Sequence, residues 1–240
     1  MVFVTKHLNI YLDLWTPKEN IYIDFVIGNR GENSFFKATP SQPARLYAGD
    51  YDQNGRLDAI PCYYFKDGRA YPKHSLDELA NQIPLIKKKM TRYATYSKAS
   101  IEDIIGAKEA TASEKRFEHT FSSSYVENKG DMTFRLNPLP VEAQFSTLQS
   151  MLVGDFNADK HPDVLLCGND HGSDLDSGRQ DASLGLLLLG NGRGNFTSVP
   201  AHRSGLYLEG DYRRVIRLKV VEKQVFYFFL KNNGRGEIMQ

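Results

Sequence analysis

Cysteine occurs only twice in this 240-residue chain and tryptophan once, and neither charge sign prevails, with 30 Lys and Arg against 29 Asp and Glu. Each shortage excludes something. Two cysteines cannot form a disulfide framework. A formal charge of +1 exerts no pull toward nucleic acid or an anionic membrane, so no nucleic-acid partner is expected. No apolar run approaches the roughly eighteen residues of a membrane span. Lys6, His7 and Asp13 interrupt the stretch where a signal peptide needs unbroken apolar residues, so the chain reads as soluble and without a leader. Histidines at 7, 74, 119, 161, 171 and 202 form no His-Glu-x-x-His pair, and there is no Cys-x-x-Cys, which argues against catalytic zinc. A Gly-x-Ser-x-Gly elbow is also missing. Gly190 to Gly194 is glycine-rich, but no Gly-Lys-Ser/Thr follows and no helix is expected after it, so it is no phosphate loop. The chain is expected not to be an enzyme.

Two nine-residue stretches stand out, Asp50-Tyr-Asp52-Gln-Asn54-Gly-Arg56-Leu-Asp58 and Asp155-Phe-Asn157-Ala-Asp159-Lys-His161-Pro-Asp163. Side chains at positions 1, 3, 5 and 9, with the carbonyl of position 7 (Arg56 or His161), would wrap a hard cation that takes six to eight oxygens. That describes Ca²⁺ better than Zn²⁺ or Mg²⁺. An EF-hand needs Glu at position 12 and flanking helices; here position 12 is Pro61 or Leu166, and β-prone residues follow each loop. Acidic turns are common and usually bind nothing. The second copy in the same strand context favours the metal. Lys160 stands at position 6 where the first copy has Gly55, at a cost of about 1 kcal/mol if positive φ is required. Affinity of about 10⁻⁴ to 10⁻³ M is expected.

Cys62 lies twelve residues after Asp50, and Cys167 twelve after Asp155. Equivalent positions in separate repeat units should lie beyond the roughly 7 Å a disulfide tolerates, so two buried free thiols are expected. Turns rich in Asn and Gly recur at Gly28 to Gly31, Asn128 to Phe134, Gly190 to Phe196 and Asn232 to Gly236, each after a strand-like run, and each reads as a β-hairpin. Gly210-Asp211 reads as a third acidic loop that has decayed, with Arg213 in place of the position-3 carboxylate. Short strands in repeated units of four point to an all-β, β-propeller-type fold with about four blades.

A helical insertion at about 74–110, bounded by 72–118 within the second blade, interrupts this rhythm. Ser75 to Glu78 forms a capping box, and Leu76, Leu79, Ile83, Ile86, Met90 and Tyr93 recur at helical spacing. Pro84 should start a second helix, Ser100 to Asp103 should cap a third, and Lys87 to Lys89 should face solvent.

The segments Tyr47 to Ile60 and Leu152 to Leu165, with the Gly190 to Phe196 hairpin, resemble the FG-GAP or VCBS repeat, the blade unit of integrin α-like propellers. Pro84 to Met90 and Asn137 to Phe145 further resemble FG-GAP proteins of bacterial cell surfaces. The resemblance implies Ca²⁺ between the first two strands of a blade. It also implies an extracellular or cell-surface setting, in which case this chain is a fragment or processed form. The partners it implies are a protein or glycan ligand and further blades of a longer parent. The ligands it carries over are Asp50, Asp52, Asn54 and Asp58, then Asp155, Asn157, Asp159 and Asp163.

The alternative rests on the loop 169–181, where Asp170, His171, Asp174, Asp176 and Arg179 offer groups suited to a sugar, as in a glycan-binding or polysaccharide lyase-type propeller. A solvated connection whose charges satisfy its own backbone is the plainer account of that loop.

Overall fold

A computed structural model describes residues 9–15, 22–65, 67–173, 178–219 and 224–240 of the chain. Along the chain run β1 (Asn9–Trp15), β2 (Asp24–Gly28), β3 (Ala44–Gly49), β4 (Asp58–Tyr64) and β5 (Ala70–Pro72). Five short helices follow, α1 (Leu76–Gln82), α2 (Pro84–Lys89), α3 (Tyr93–Tyr96), α4 (Ile101–Ile105) and α5 (Ala107–Ala112). Then come β6 (Glu114–Glu118), β7 (Ser124–Gly130), β8 (Thr133–Pro138), β9 (Leu148–Gly154), β10 (Asp163–Gly168), β11 (Leu186–Gly190) and β12 (Phe196–Val199). A one-turn helix, α6 (Ala201–Ser204), precedes β13 (Tyr212–Lys219), β14 (Val225–Lys231) and β15 (Glu237–Met239). The architecture is mostly β, with four antiparallel sheets and none closed into a barrel. Among the described residues no helix is long and apolar enough to cross a membrane.

The chain divides into two compact units, one of Phe36–Phe121 and one combining Val4–Phe35 with Ser122–Gln240. The second unit holds three sheets, ordered β1-β2-β7-β8, β9 to β12 in sequence, and β13-β14-β15. Strand β10 explains how they cohere. Its residues Asp163 to Gly168 are all buried, because both faces of its sheet are covered. Val164 and Leu166 join a core with Met151, Leu188, Val26 and Tyr125, while Leu165 and Cys167 join another with Leu208, Tyr212, Val215 and Phe229. A strand covered on both sides needs an unbroken apolar run rather than alternation, and Val-Leu-Leu-Cys supplies it.

The first unit is a sheet ordered β5-β4-β3-β6 with helices on one face. Tyr47, Ile60 and Cys62 meet Leu79, Ile83, Ile86, Ile101 and Ile104 there. The capping boxes form at Ser75–Glu78 and Ser100–Asp103, and Pro84 occupies the first turn of α2. Pro84 and Gly106, at φ 105°, divide the apolar stripe into short pieces. Lys87, Lys88 and Lys89 are exposed. Tyr93 departs from the helical stripe expected of it. It is 58% exposed, with its hydroxyl donating to Asp77, and Tyr96 takes the buried place instead.

Three of the four expected hairpins form, β7–β8, β11–β12 and β14–β15. Gly28 to Gly31 forms none. Strand β2 pairs with β1 and β7, and no strand follows until β3, so the turn has no partner to return to. Asn29 instead takes the Ser123 hydroxyl as acceptor for its N–H at 3.0 Å. The decayed acidic loop at Gly210-Asp211 is corrected too, since it precedes the first strand of its sheet rather than joining the first to the second. Asp211 is buried and bonded to Arg213 at 2.6 Å and to Asn232 at 3.1 Å.

If β10 is wedged between two cores, truncation on either face should be equally damaging. Leu166→Ala and Leu165→Ala, at 0% and 4% exposure, should each lower unfolding free energy by about 2–5 kcal/mol, measured by urea denaturation.

Candidate metal centre

Both acidic stretches connect the first two strands of a sheet, and the pairs Gly49↔Asp58 and Gly154↔Asp163 close them at the same register. The backbones also match. Position 4 has positive φ in each, Gln53 at 60° and Ala158 at 63°, as does position 6, Gly55 at 79° and Lys160 at 70°. The position-1 carboxylate folds back over the turn: Asp50 accepts from the N–H groups of Asn54 (3.0 Å) and Gly55 (2.9 Å), Asp155 from those of Asp159 (3.1 Å) and Lys160 (3.0 Å). The position-5 oxygen accepts from the position-7 N–H, Asn54 from Arg56 at 2.8 Å and Asp159 from His161 at 2.7 Å. The His161 N–H, helped by the Asn157 amide, holds the Asp159 carboxyl below the usual range. Asx-type bonding of this kind shapes a turn without any metal, and it leaves lone pairs on the same oxygens facing inward.

Position 9 is buried in both copies, Asp58 at 4% and Asp163 at 0% exposure. One oxygen of each accepts the N–H of the position-2 aromatic, Tyr51 at 3.2 Å and Phe156 at 2.8 Å. The other oxygen of Asp163 accepts the Gly190 N–H at 2.9 Å, from the neighbouring strand β11. In Asp58 that role falls to the Gln82 amide on α1 at 3.3 Å. The glycine before the first loop makes room for its aromatic, since a Cβ on Gly49 would lie 3.0 Å from the Tyr51 ring, while one on Gly154 would stand at an ordinary 3.5 Å from Phe156.

The two loops differ in how they gather charge. In the first, Asp50, Asp52 and Asp58 bring an oxygen each within 4.8 Å of the others, the one such group among the described residues. Like charges at that distance repel by about 1 kcal/mol per pair in water and about 3 kcal/mol at an effective dielectric of 20. Among the described residues no ion pair relieves them, and one buried oxygen of Asp52 has no hydrogen-bond partner. An unpartnered carboxylate oxygen beside two others suits a hard divalent cation. In the second loop position 3 is Asn157, whose amide donates to Asp159 at 2.9 Å.

Neither the loops nor any other segment connects the chain to a known protein. Compared with family models, with curated proteins and with solved structures, it matches none.

A third position-9 aspartate was not foreseen. Asp24 heads β2 as Asp58 heads β4 and Asp163 heads β10, with 4% exposure. It accepts from the Asn128 N–H on β7 at 2.8 Å and from the Tyr125 hydroxyl at 2.5 Å. The available signal was Asp followed by an apolar run, Asp24-Phe-Val-Ile beside Asp163-Val-Leu-Leu. It went unseen because the residues before Asp24 include no matching acidic loop.

Of the sugar-suited residues, Asp170, His171 and Arg179 are described. Asp170 is 8% exposed and bonded to Arg213 at 3.2 Å and to the Gly172 N–H at 3.1 Å. His171 is half-buried and Arg179 exposed, while Asp174 and Asp176 lie outside the described residues. Both cysteines are free and buried, and burial pushes the Cys167 thiol up to about 12 and Cys62 further in the same direction. Neither supplies a thiolate nucleophile near neutral pH.

Nothing lies within 4 Å of a Cβ built on Gly55, so Gly55→Ala tests its φ alone and should cost about 1 kcal/mol. Lys160→Gly should stabilise by about 0.5–1 kcal/mol, the relieved strain less the added freedom of the unfolded chain; thermal melts of both variants check the pair. Asp163→Ala strands two backbone N–H groups and should cost about 2–4 kcal/mol, as should Asp24→Ala, by chemical denaturation.

Proposed function

We propose that the chain is a calcium-stiffened, non-catalytic interaction module of the FG-GAP or VCBS kind, with its sheets as propeller-type blades, displayed outside the cell or on its surface. The observation that carries this is the duplicated loop. Two segments of different sequence share register, positive-φ positions and carboxylate-to-backbone bonds, and in the first of them three carboxylate oxygens lie within 4.8 Å of one another. The four-stranded meander β9 to β12, apolar on both faces, agrees with blade-on-blade packing.

In the first loop Asp50, Asp52, Asn54, Asp58 and the Arg56 carbonyl would hold the ion. In the second, Asp155, Asn157, Asp159, Asp163 and the His161 carbonyl would do so. Calcium would supply positive charge where carboxylates crowd, stiffening the ends of the hairpins and contributing no reaction step. The module's task is then to hold a surface in shape for a protein or glycan partner.

Calcium at about 10 mM should stabilise the fold by about 1.4 kcal/mol per site if Kd is about 1 mM, and a chelator should reverse the rise in melting temperature. Asp52→Ala should remove the contribution of the first loop while leaving that of the second. A calcium titration without heat, and melting curves indifferent to chelation, would overturn the proposal.

A further inference from the structure

The sheet of the unit Phe36–Phe121 carries a second chemical feature, unrelated to the acidic loops. Arg45 on β3 stacks between two rings, its guanidinium carbon 5.0 Å from the centre of Tyr64 and 5.5 Å from that of Phe117. Cation–π stacking holds such a group in place and leaves its in-plane donors free. Its one hydrogen bond within the protein is a long contact of 3.5 Å to the Tyr47 hydroxyl. No carboxylate among the described residues pairs with it, and its Nε is buried without a partner. The Tyr64 hydroxyl is likewise buried and unpartnered.

Both residues line one cavity of about 180 Å³, whose walls also include Arg69, Ser100, Ile101 and Glu102. Arg69 and Ser100 are committed elsewhere. Arg69 donates to the Ser100 hydroxyl at 2.7 Å and pairs with Asp103, which also caps the helix. That leaves two kinds of vacant function facing the cavity, donors at Arg45 and Tyr64 and an acceptor at Glu102.

Buried donors without acceptors are rare in folded proteins, and each calls for an explanation. A planar, delocalised guanidinium beside a phenol hydroxyl matches the two oxygens of a carboxylate. The charge balance selects among anions. Arg69 is neutralised by Asp103, and the exposed Glu102 shares the lining with Arg45, so the charges around the cavity balance. A phosphate dianion would bring a second charge that no cation here offsets, whereas a carboxylate brings one for Arg45, and hydroxyl groups beside it could donate to Glu102. We propose that this cavity binds a small hydroxylated carboxylate, with Arg45 and Tyr64 holding the carboxylate and Glu102 accepting from the hydroxyl groups.

Isothermal titration of the full chain with sodium D-glucuronate tests this, with acetate, glucose and inorganic phosphate as controls. One saturable site per chain is expected for glucuronate, at least about fivefold tighter than for acetate, a margin worth one hydrogen bond, with no heat from glucose. Arg45→Met should abolish binding. Because that change also removes two ring contacts, Tyr64→Phe serves as the second variant. Its hydroxyl bonds to nothing in the fold, so the variant should melt no lower than the parent while binding glucuronate about fivefold more weakly. The proposal is overturned if glucuronate gives no saturable heat, if acetate or phosphate binds as tightly, or if Tyr64→Phe binds like the parent.

Discussion

A buried carboxylate at the head of the second strand is the constraint around which three of the four sheets are organised. Asp24, Asp58 and Asp163 are each at most 4% exposed, and a polar group so placed is tolerated only when its oxygens are well bonded. Their partners are mostly backbone N–H groups: Tyr51 for Asp58, Phe156 and Gly190 for Asp163, and Asn128 for Asp24. One side chain thereby ties the start of its strand to a preceding loop or to the next strand over. Removing it would strip these donors of their acceptor, and the Gly190 N–H and Tyr125 hydroxyl among them are buried.

That latch separates two roles combined in the acidic loops. Asp24 performs it on a strand with no acidic loop before it, so the latch does not depend on a cation. The remaining acids are different in kind, because Asp50 and Asp52 are not needed to join strands. Asp52 in particular has an oxygen with no partner in the protein. The second loop has relaxed the same arrangement, since the Asn157 amide satisfies Asp159 internally. Lys160 nevertheless keeps the positive φ of the glycine it stands in for, at 70° against 79° for Gly55. A strained backbone held against residue preference indicates that the shape of the turn is imposed by the carboxylate bonds around it.

Much of this was legible in the residues. The acidic loops, both capping boxes, the Pro84 helix start, the buried cysteines and three of four hairpins follow from local chemistry, which acts over four or five residues and leaves a local trace. Tyr93 broke its stripe because a hydroxyl near Asp77 competes with burial. The strand neighbours of β2 were not legible. Its third-strand partner β7 begins a hundred residues later, and no periodicity marks which distant run will pair with which. Asp24 left no local trace either, because no acidic loop precedes it and its partners Tyr125 and Asn128 lie about a hundred residues along the chain. The Gly28 to Gly31 turn looked like the other hairpins because glycine reports a permitted φ and says nothing of whether a strand will follow.

The pairing of β2 with β7 has a further meaning. Sheet β1-β2-β7-β8 has the order of an uninterrupted four-stranded meander, yet the whole unit Phe36–Phe121 is spliced between its second and third strands. At that unit's own ends the rings of Phe36 and Phe121 lie 5.9 Å apart, and on the other side of the junction Asn29 bonds to Ser123 at 3.0 Å. Within each unit, then, the two points where the chain crosses to the other are held close together. The β2–β7 pairing is therefore secured by Asn29 and Ser123 from within its own unit, and no residue of Phe36–Phe121 is needed to close that sheet.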